Sequence, residues 1–349
     1  MPMAGYTFIE YTRSSTSINL NLTRDNILLM FNNSAPKTPA VQKIEILPDS
    51  AGQRLDNFLV KLLKGVPKSR IYRIIRKGEV RINQGRAKPD YKLNSGDLVR
   101  IPPIRQAPPK ELMFPANKQS QMEKLLDNIL FEDKGLLVIN KPAGIAVHGG
   151  SGLSLGVIEA VRYLKGKNQS FELVHRLDRG TSGCLMIAKS RRVLKALQEQ
   201  LKARTVEKVY WALVEGQWET PKVVSAPLKK NQLSSGERFV RVAEDGQEAI
   251  TEFAPLQRFS NATLVEARPK TGRTHQIRVH ATFSQHPIVG DEKYGSRDFN
   301  QHMKKAGFNR LCLHARALSF RLPDYPTMIT VEAPLEISFE KSLTRLQGG

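Results

Sequence analysis

At 349 residues and 40% apolar composition, the chain is long enough for two folded units and a sizeable core. Its 54 Lys and Arg against 33 Asp and Glu give a formal charge of +21 and a pI ≈ 10.0, which favours a polyanionic partner, nucleic acid first, over an acidic or neutral one. Cys184 and Cys312 sit in apolar runs with no CxxC spacing, and no apolar run approaches the length of a membrane span, so the sequence points away from a disulfide framework, a cysteine zinc site, secretion and membrane insertion, and towards the cytoplasm.

Residues 1–42 are rich in Ser, Thr and Asn without a sustained period and are expected to form a loosely ordered arm. Met30 within it is an alternative start; a targeting peptide is the other reading, with Arg13, Arg24 and Lys37 as its basic residues. Residues 43–103 form a basic module. Leu55, Phe58, Leu59, Leu62 and Leu63 fall at helical spacing, marking one amphipathic helix packed on a core. A second helix runs between Ser69 as N-cap and Gly78 as stop, with Ile71, Ile74 and Ile75 on one face and Arg70, Arg73 and Lys77 on the other. Strands follow at "EVRIN" and "DLVRI", the latter introduced by the turn residues "NSGD". Residues 52–105 hold fourteen Lys/Arg and four Asp/Glu, so the charge is concentrated here. A row of cations on a helix is commonly a solvated face, but this helix–helix–strand pattern resembles the S4 domain, a small α/β fold that binds RNA.

The five prolines within 102–121, with no period, predict an extended linker over 104–122 that tethers the module to a second unit at 123–349. There the pattern changes to short β-branched runs ("GLLVIN", "CLMIA", "VYWALV", "FVRVA", "ITEFAPL", "ATLVEA", "LCLHARALSF") with helical stretches at "SLGVIEAVRYLKG" and "RRVLKALQEQLKA". The expectation is an α+β fold built on a large mixed, mainly antiparallel sheet.

Within "ELVHRLDRGTSGCLMIAKS", Asp178 lies between Arg176 and Arg179, and the turn composition that follows puts it on a loop at the sheet edge. An aspartate ionises at about 3.9, so neighbouring cations serve to keep it charged where water is excluded, as a nucleophile or base. Taken alone, R-x-D-R is a surface ion pair contributing about 0–1 kcal/mol. In "KTGRTHQIRVHA" the alternation predicts a strand with Gln276, Arg278 and His280 on one face and Ile277 and Val279 on the other. In "EKVYWALVEG", Tyr210 shares a face with Lys208 and Ala212, opposite Val209, Trp211 and Leu213; it either packs in a core or stacks on a base. The seven histidines form no HExxH or Cys/His cluster, and "GGSG" at 149–152 lacks the GK[ST] of a phosphate loop, so neither a metal nor a nucleotide cofactor is expected.

Together, "NKPAGIAVHGG", "HRLDRGTSG", "KVYWALVEG" and "TGRTHQIRVH" resemble the RluA family of pseudouridine synthases, and the S4-like front end points within it to enzymes acting on large-subunit (23S) ribosomal RNA. The resemblance implies isomerisation: the N-glycosidic bond of a uridine breaks, the base turns, and the sugar is rejoined through carbon 5. No redox cofactor, metal or group donor is then required. Glycosidases usually employ two carboxylates, whereas Asp178 is the only acid between residues 173 and 198; one is enough where no water is activated. By the same resemblance Asp178 attacks the sugar or removes its 2′ proton, Arg278 pairs with it, and Tyr210 stacks on the uracil. Arg176 would occupy the space left by the extruded base, while Ile277 and Leu313 supply apolar walls. Arg70, Arg73 and Lys77 would anchor 23S rRNA or an assembling large subunit, and a monomer is expected. A non-catalytic RNA-binding assembly protein is the rival that the S4-like module alone allows; a base-removing N-glycosidase is a second.

Overall fold

The computed structural model describes residues 40–63, 65–104, 125–149, 156–166, 170–232 and 238–347. The predicted N-terminal arm lies outside them up to residue 39, as do the linker from residue 105 and the "GGSG" turn from residue 150.

The first unit has a four-stranded sheet, β1 (Gln42–Glu45), β2 (Arg81–Ile82), β3 (Gly85–Arg86) and β4 (Leu98–Ile101), in the order β1-β4-β2-β3, with α1 (Leu55–Leu62) and α2 (Lys68–Arg76) packed on it. β1, missed in the sequence, begins at the edge of the predicted arm and pairs antiparallel with β4, Gln42 opposite Ile101. Leu55 and Leu59 of α1 and Ile71, Ile74 and Ile75 of α2 are buried against Val80, Val99 and Ile101. Burying side chains of this size contributes about 1.5–3 kcal/mol each, which fixes the helices with their cations outward. Three expectations are corrected. Ser69 lies inside α2; Pro67 stands at the N-cap without a side-chain bond, because proline's fixed φ and missing N–H suit a helix start. Leu62 is exposed, since α1 ends there and the chain turns to bury Leu63 instead. Ile104, assigned to the linker, is buried in this first core.

The second unit is built on ten strands. β5 (Ile129–Glu132), β6 (Leu136–Lys141), β7 (Glu172–Leu173), β8 (Ser182–Ala188), β9 (Glu207–Glu215) and β10 (Lys222–Ser225) precede a separate hairpin, β11 (Leu228–Gln232) and β12 (Arg238–Val242). β13 (Ile250–Arg258), β14 (Ala262–Pro269), β15 (Leu313–Phe320) and β16 (Ile329–Glu332) complete the sheet, ordered β10-β13-β14-β9-β15-β8-β6-β5, with β16 beside β15 and β7 beside β8. Only the β15–β8 pair is parallel among the described strands, so the fold is the α+β, mainly antiparallel architecture expected. The parallel pairing depends on Gly183, at φ 106°: a Cβ there would stand 2.2 Å from the carbonyl oxygen of Ala315. That accounts physically for the glycine of "TSG".

The helices are α3 (Val157–Leu164), α4 (Arg191–Lys202), α5 (Gln276–Phe283), α6 (Arg297–Lys305) and α7 (Ile337–Gln347). Two hydrophobic clusters divide the sheet. One gathers β6 and β8 under α3 and α4; the other gathers β9, β13 and β14 under α5, α6 and α7. Tyr210 packs against both, at the seam. Among the described residues no helix is long and apolar enough to cross a membrane. Lys61 on α1 forms an exposed ion pair with Glu172 on β7 at 2.9 Å, so the basic module touches the second unit as well as being linked to it by chain.

α5 overturns the strand expected at "HQIRVHA". The alternation is real, but Gln276 and His280, four apart, are buried on one helical face. Gln276 Nε2 donates to Ile250 O (2.9 Å) and Thr251 Oγ1 (3.0 Å), and His280 Nδ1 bonds Thr251 Oγ1 (2.9 Å). Both side chains meet the one Thr251 hydroxyl, which residues four apart can do on a helix, where they stand about 6 Å apart, but not on a strand, where they stand about 13 Å apart. Because α5 is covered on several sides, its apolar residues do not form the single stripe that announces a helix.

Candidate active site

The seam between the two clusters opens into a cavity of ≈ 120 Å³. Asp178 lies on the loop between β7 and β8, where its carbonyl accepts from Thr181 N–H (3.1 Å). The "KPAG" segment holds this loop from behind. Gly144 N–H donates to Arg179 O (2.8 Å), Arg179 Nε donates to Gly144 O (2.9 Å), and the buried Lys141 ammonium donates to the carbonyls of Pro142 (2.9 Å), Ile145 (2.9 Å) and Arg179 (3.3 Å). Three carbonyl acceptors satisfy its protonated form, against burial that brings its pKa down to about 7.

Arg278 projects from the first turn of α5. Its Nη1 donates to Asp178 Oδ2 at 3.0 Å, while Nε and Nη2 donate to Asp291 Oδ2 and Oδ1 at 2.7 and 2.9 Å. Asp291 is 1% exposed, Arg278 11% and Asp178 31%, so charge burial deepens from the cavity inward. Burial opposes the charge on Arg278, but the bonds to Asp291 and the two carboxylate charges more than offset it and raise its pKa. Burial likewise acts to raise Asp291, and the Arg278 bonds, its charge and the N–H groups of Lys293 and Tyr294 overcome it, leaving the carboxyl below its ordinary value. The bidentate Asp291 contact fixes the guanidinium plane. The remaining nitrogen is thereby aimed at Asp178.

Tyr210, on β9, lines the cavity beside Asp178; burial first, then the Asp178 charge, pushes its hydroxyl pKa up, so it stays protonated. Ile277 and Leu313, both buried, form apolar wall, and the exposed Arg176 stands at the mouth. The cavity thus gathers all six second-unit residues singled out in the sequence. Arg70, Arg73 and Lys77 are not among them; they lie exposed on or just after α2. Sequence reasoning missed Asp291, Lys208, His275 and Tyr294. Lys208 lines the cavity two residues before Tyr210 and donates to Thr271 O (3.1 Å); burial, with Arg204 and Lys270 nearby, brings its pKa down to about 8. Its place on the Tyr210 face was a usable signal. Asp291 lies in "VGDEKYG", thirteen residues beyond Arg278, and nothing local pairs the two.

A charged carboxylate clamped by a fixed guanidinium, in an apolar-walled cavity with an aromatic ring and a mouth arginine, suits a reaction at a sugar whose base is drawn out of a nucleic acid. The comparisons with known proteins agree. A family model described as RNA pseudouridylate synthase matches residues 135–283, and one described as S4 domain matches residues 53–99. The chain is 54% identical over 311 residues to the ribosomal large subunit pseudouridine synthase C of Pasteurella multocida (strain Pm70), covering 88% of this chain and 94% of that protein. It is 52% identical over 314 residues to the protein of the same name from Escherichia coli (strain K12), with 89% and 98% covered. Among solved structures, human RNA pseudouridylate synthase domain containing 4 superposes with a TM-score of 0.54 at 29% identity, over 66% of this chain and 97% of that one. Identity at this level over nearly the full length of the bacterial relatives means that the chain belongs to the RNA pseudouridylate synthase family, with an S4 domain ahead of the large sheet.

Proposed function

We propose that this chain converts uridines of large-subunit ribosomal RNA, the 23S RNA, to pseudouridine. The observation that carries the reading is the Asp178–Arg278 pair, 3.0 Å apart beside Tyr210 in one cavity. In this reading Asp178 is the catalytic carboxylate, acting at the ribose as nucleophile or as base for the 2′ proton. Arg278 keeps it ionised when the extruded nucleotide displaces water. Extrusion costs a few kcal/mol and one aromatic stack returns about 1–3, so Tyr210 is helped by Arg176 filling the gap in the RNA and by phosphate contacts. Ile277 and Leu313 wall the base. Product and substrate are isomers, so the chemistry calls for no cofactor.

Residues 43–103 serve as a separate RNA anchor through Arg70, Arg73 and Lys77, and the protein works as a monomer in the cytoplasm, where its substrate is made. The +21 charge supplies affinity without sequence information, and RNA shape selects the uridine. The test is to incubate rRNA lacking pseudouridine with wild-type protein and with Asp178→Asn, then treat with carbodiimide and map reverse-transcription stops. New stops on intact strands are expected with wild type and none with the variant. Abasic strands and free uracil would point to an N-glycosidase, and equal stops from both proteins would remove Asp178 from the reaction.

A further inference from the structure

Asp178 has two carboxylate oxygens, and both side chains that reach it approach the same one. Arg278 Nη1 donates to Oδ2 at 3.0 Å, and Nε2 of His275 stands 3.7 Å from that same atom. His275 occupies the N-cap of α5 at φ 54°, a left-handed conformation that side-chain-bearing residues seldom adopt and that recurs at functional sites. It is also part of the cavity wall.

What fixes its ring is Tyr294. The Tyr294 hydroxyl lies 2.8 Å from His275 Nδ1, and the same oxygen accepts the Val240 N–H of β12 at 3.1 Å. With its oxygen engaged by Val240, the hydroxyl has its own proton to place, and among the described residues Nδ1 of His275 is the acceptor within reach. Nδ1 is therefore the bare nitrogen and Nε2 carries the hydrogen, pointing toward Asp178. Burial, opposed by the Asp178 charge and reinforced by Arg278 and Lys293, keeps the imidazole pKa low, so the ring is neutral and this tautomer holds. The groups facing it are Asp178, Arg278, Asp291, Lys293 and Tyr294. Val240 belongs to a small cluster with Leu228, Ala249 and Val279 of α5, so the β11–β12 hairpin and the Arg278 helix brace one another at this point.

Resting on the reading of Asp178 as the catalytic carboxylate, we propose that His275, oriented by Tyr294, is a positioning residue that with Arg278 holds Oδ2 and so presents Oδ1 to the ribose as the reacting oxygen. At 3.7 Å the contact is longer than a hydrogen bond; it closes when the nucleotide displaces water, as such bonds commonly do on substrate binding.

Two substitutions separate this role from a structural one. His275→Asn suits the left-handed backbone but ends short of Asp178, whereas His275→Gln places an amide N–H near the position of Nε2. The expected result for Asn is a fall in kcat of about 10- to 100-fold, the worth of one hydrogen bond to a charged group, with KM for rRNA within about 2-fold of wild type. Gln is expected to recover roughly 5-fold or more of that loss. A wild-type kcat for Asn, or Asn and Gln equally slow with unchanged thermal unfolding, overturns the proposal. If the Asn variant does not fold, Tyr294→Phe decides, because it frees the tautomer and leaves the left-handed backbone at His275 unaltered, losing only the Val240 N–H bond besides: an unchanged kcat there is also a refutation. A fully active Asp178→Asn would instead sink the underlying functional reading, whatever the histidine variants do.

Discussion

Asp291→Asn tests whether the buried acid behind Arg278 sets the geometry of the site. Asn is nearly isosteric and keeps an oxygen for the Lys293 and Tyr294 N–H groups, which donate to Oδ1 at 3.0 and 3.1 Å. It loses the charge and sets an amide N–H against one of the Arg278 N–H groups. Breaking a buried ion pair costs about 3–5 kcal/mol; with the backbone acceptor retained, the lower end, about 3 kcal/mol, is expected. In a unit of this size that lowers Tm by about 6–12 °C. The guanidinium, no longer held in plane by two bonds, loses its aim at Asp178, and kcat for pseudouridine formation is expected to fall about 10- to 100-fold. The pH dependence has a defined sign. A carboxyl whose folded pKa lies below its unfolded value of about 3.9 contributes stability above that pH and loses it as pH falls through the folded pKa. The stability gap between wild type and variant should therefore narrow below pH of about 4. Urea unfolding across pH and single-turnover kinetics read both quantities. A variant within about 1 °C of wild type and fully active would show that Asp291 does not hold Arg278.

Tyr210→Phe should retain most of the turnover and Tyr210→Ala should lose about 1–3 kcal/mol of transition-state binding, roughly 5- to 150-fold in kcat/KM; equal losses would replace stacking with a hydroxyl role. Replacing Arg70, Arg73 and Lys77 together by Gln should weaken rRNA binding and flatten its salt dependence by about 2 in log–log slope, with short-substrate turnover unchanged; an unaltered slope would mean that these cations are only solvated. His314, fully buried between Ser182 Oγ and the Ala333 carbonyl, has its pKa brought down to about 4 by burial. The unfolded chain therefore binds a proton near pH 6.5 that the folded one refuses, and stability should fall by about 3 kcal/mol between pH 6.5 and 4, less in His314→Gln; a flat profile would contradict this.

Much of the site was legible because local chemistry marks it. Asp178 is framed by "RLDRGTSG", a turn composition that places a side chain at a sheet edge, and Tyr210 stands out on the polar side of an alternating strand. Both features depend on near neighbours in sequence. The basic face of α2 was readable for the same reason, since helical periodicity alone separates its isoleucines from its arginines. α2 starts two residues earlier than Ser69 as N-cap signals, because Pro67, with its φ fixed by the ring, opens the helix without a side-chain cap.

What sequence determined by itself was the kind of group at each position: an isolated carboxylate on a loop, an aromatic on the polar side of a strand, an arginine in an alternating run, a cationic helix for a polyanion. The tertiary structure alone decided how they meet. α5 is a helix because buried Gln276 and His280 must bond to β13, an interaction with residues some 25 positions away that no local pattern encodes. Asp291, His275 and Tyr294 enter for the same reason, since a buried guanidinium and a buried imidazole take their partners from whichever chain segments the fold brings against them, and burial is a property of the folded whole.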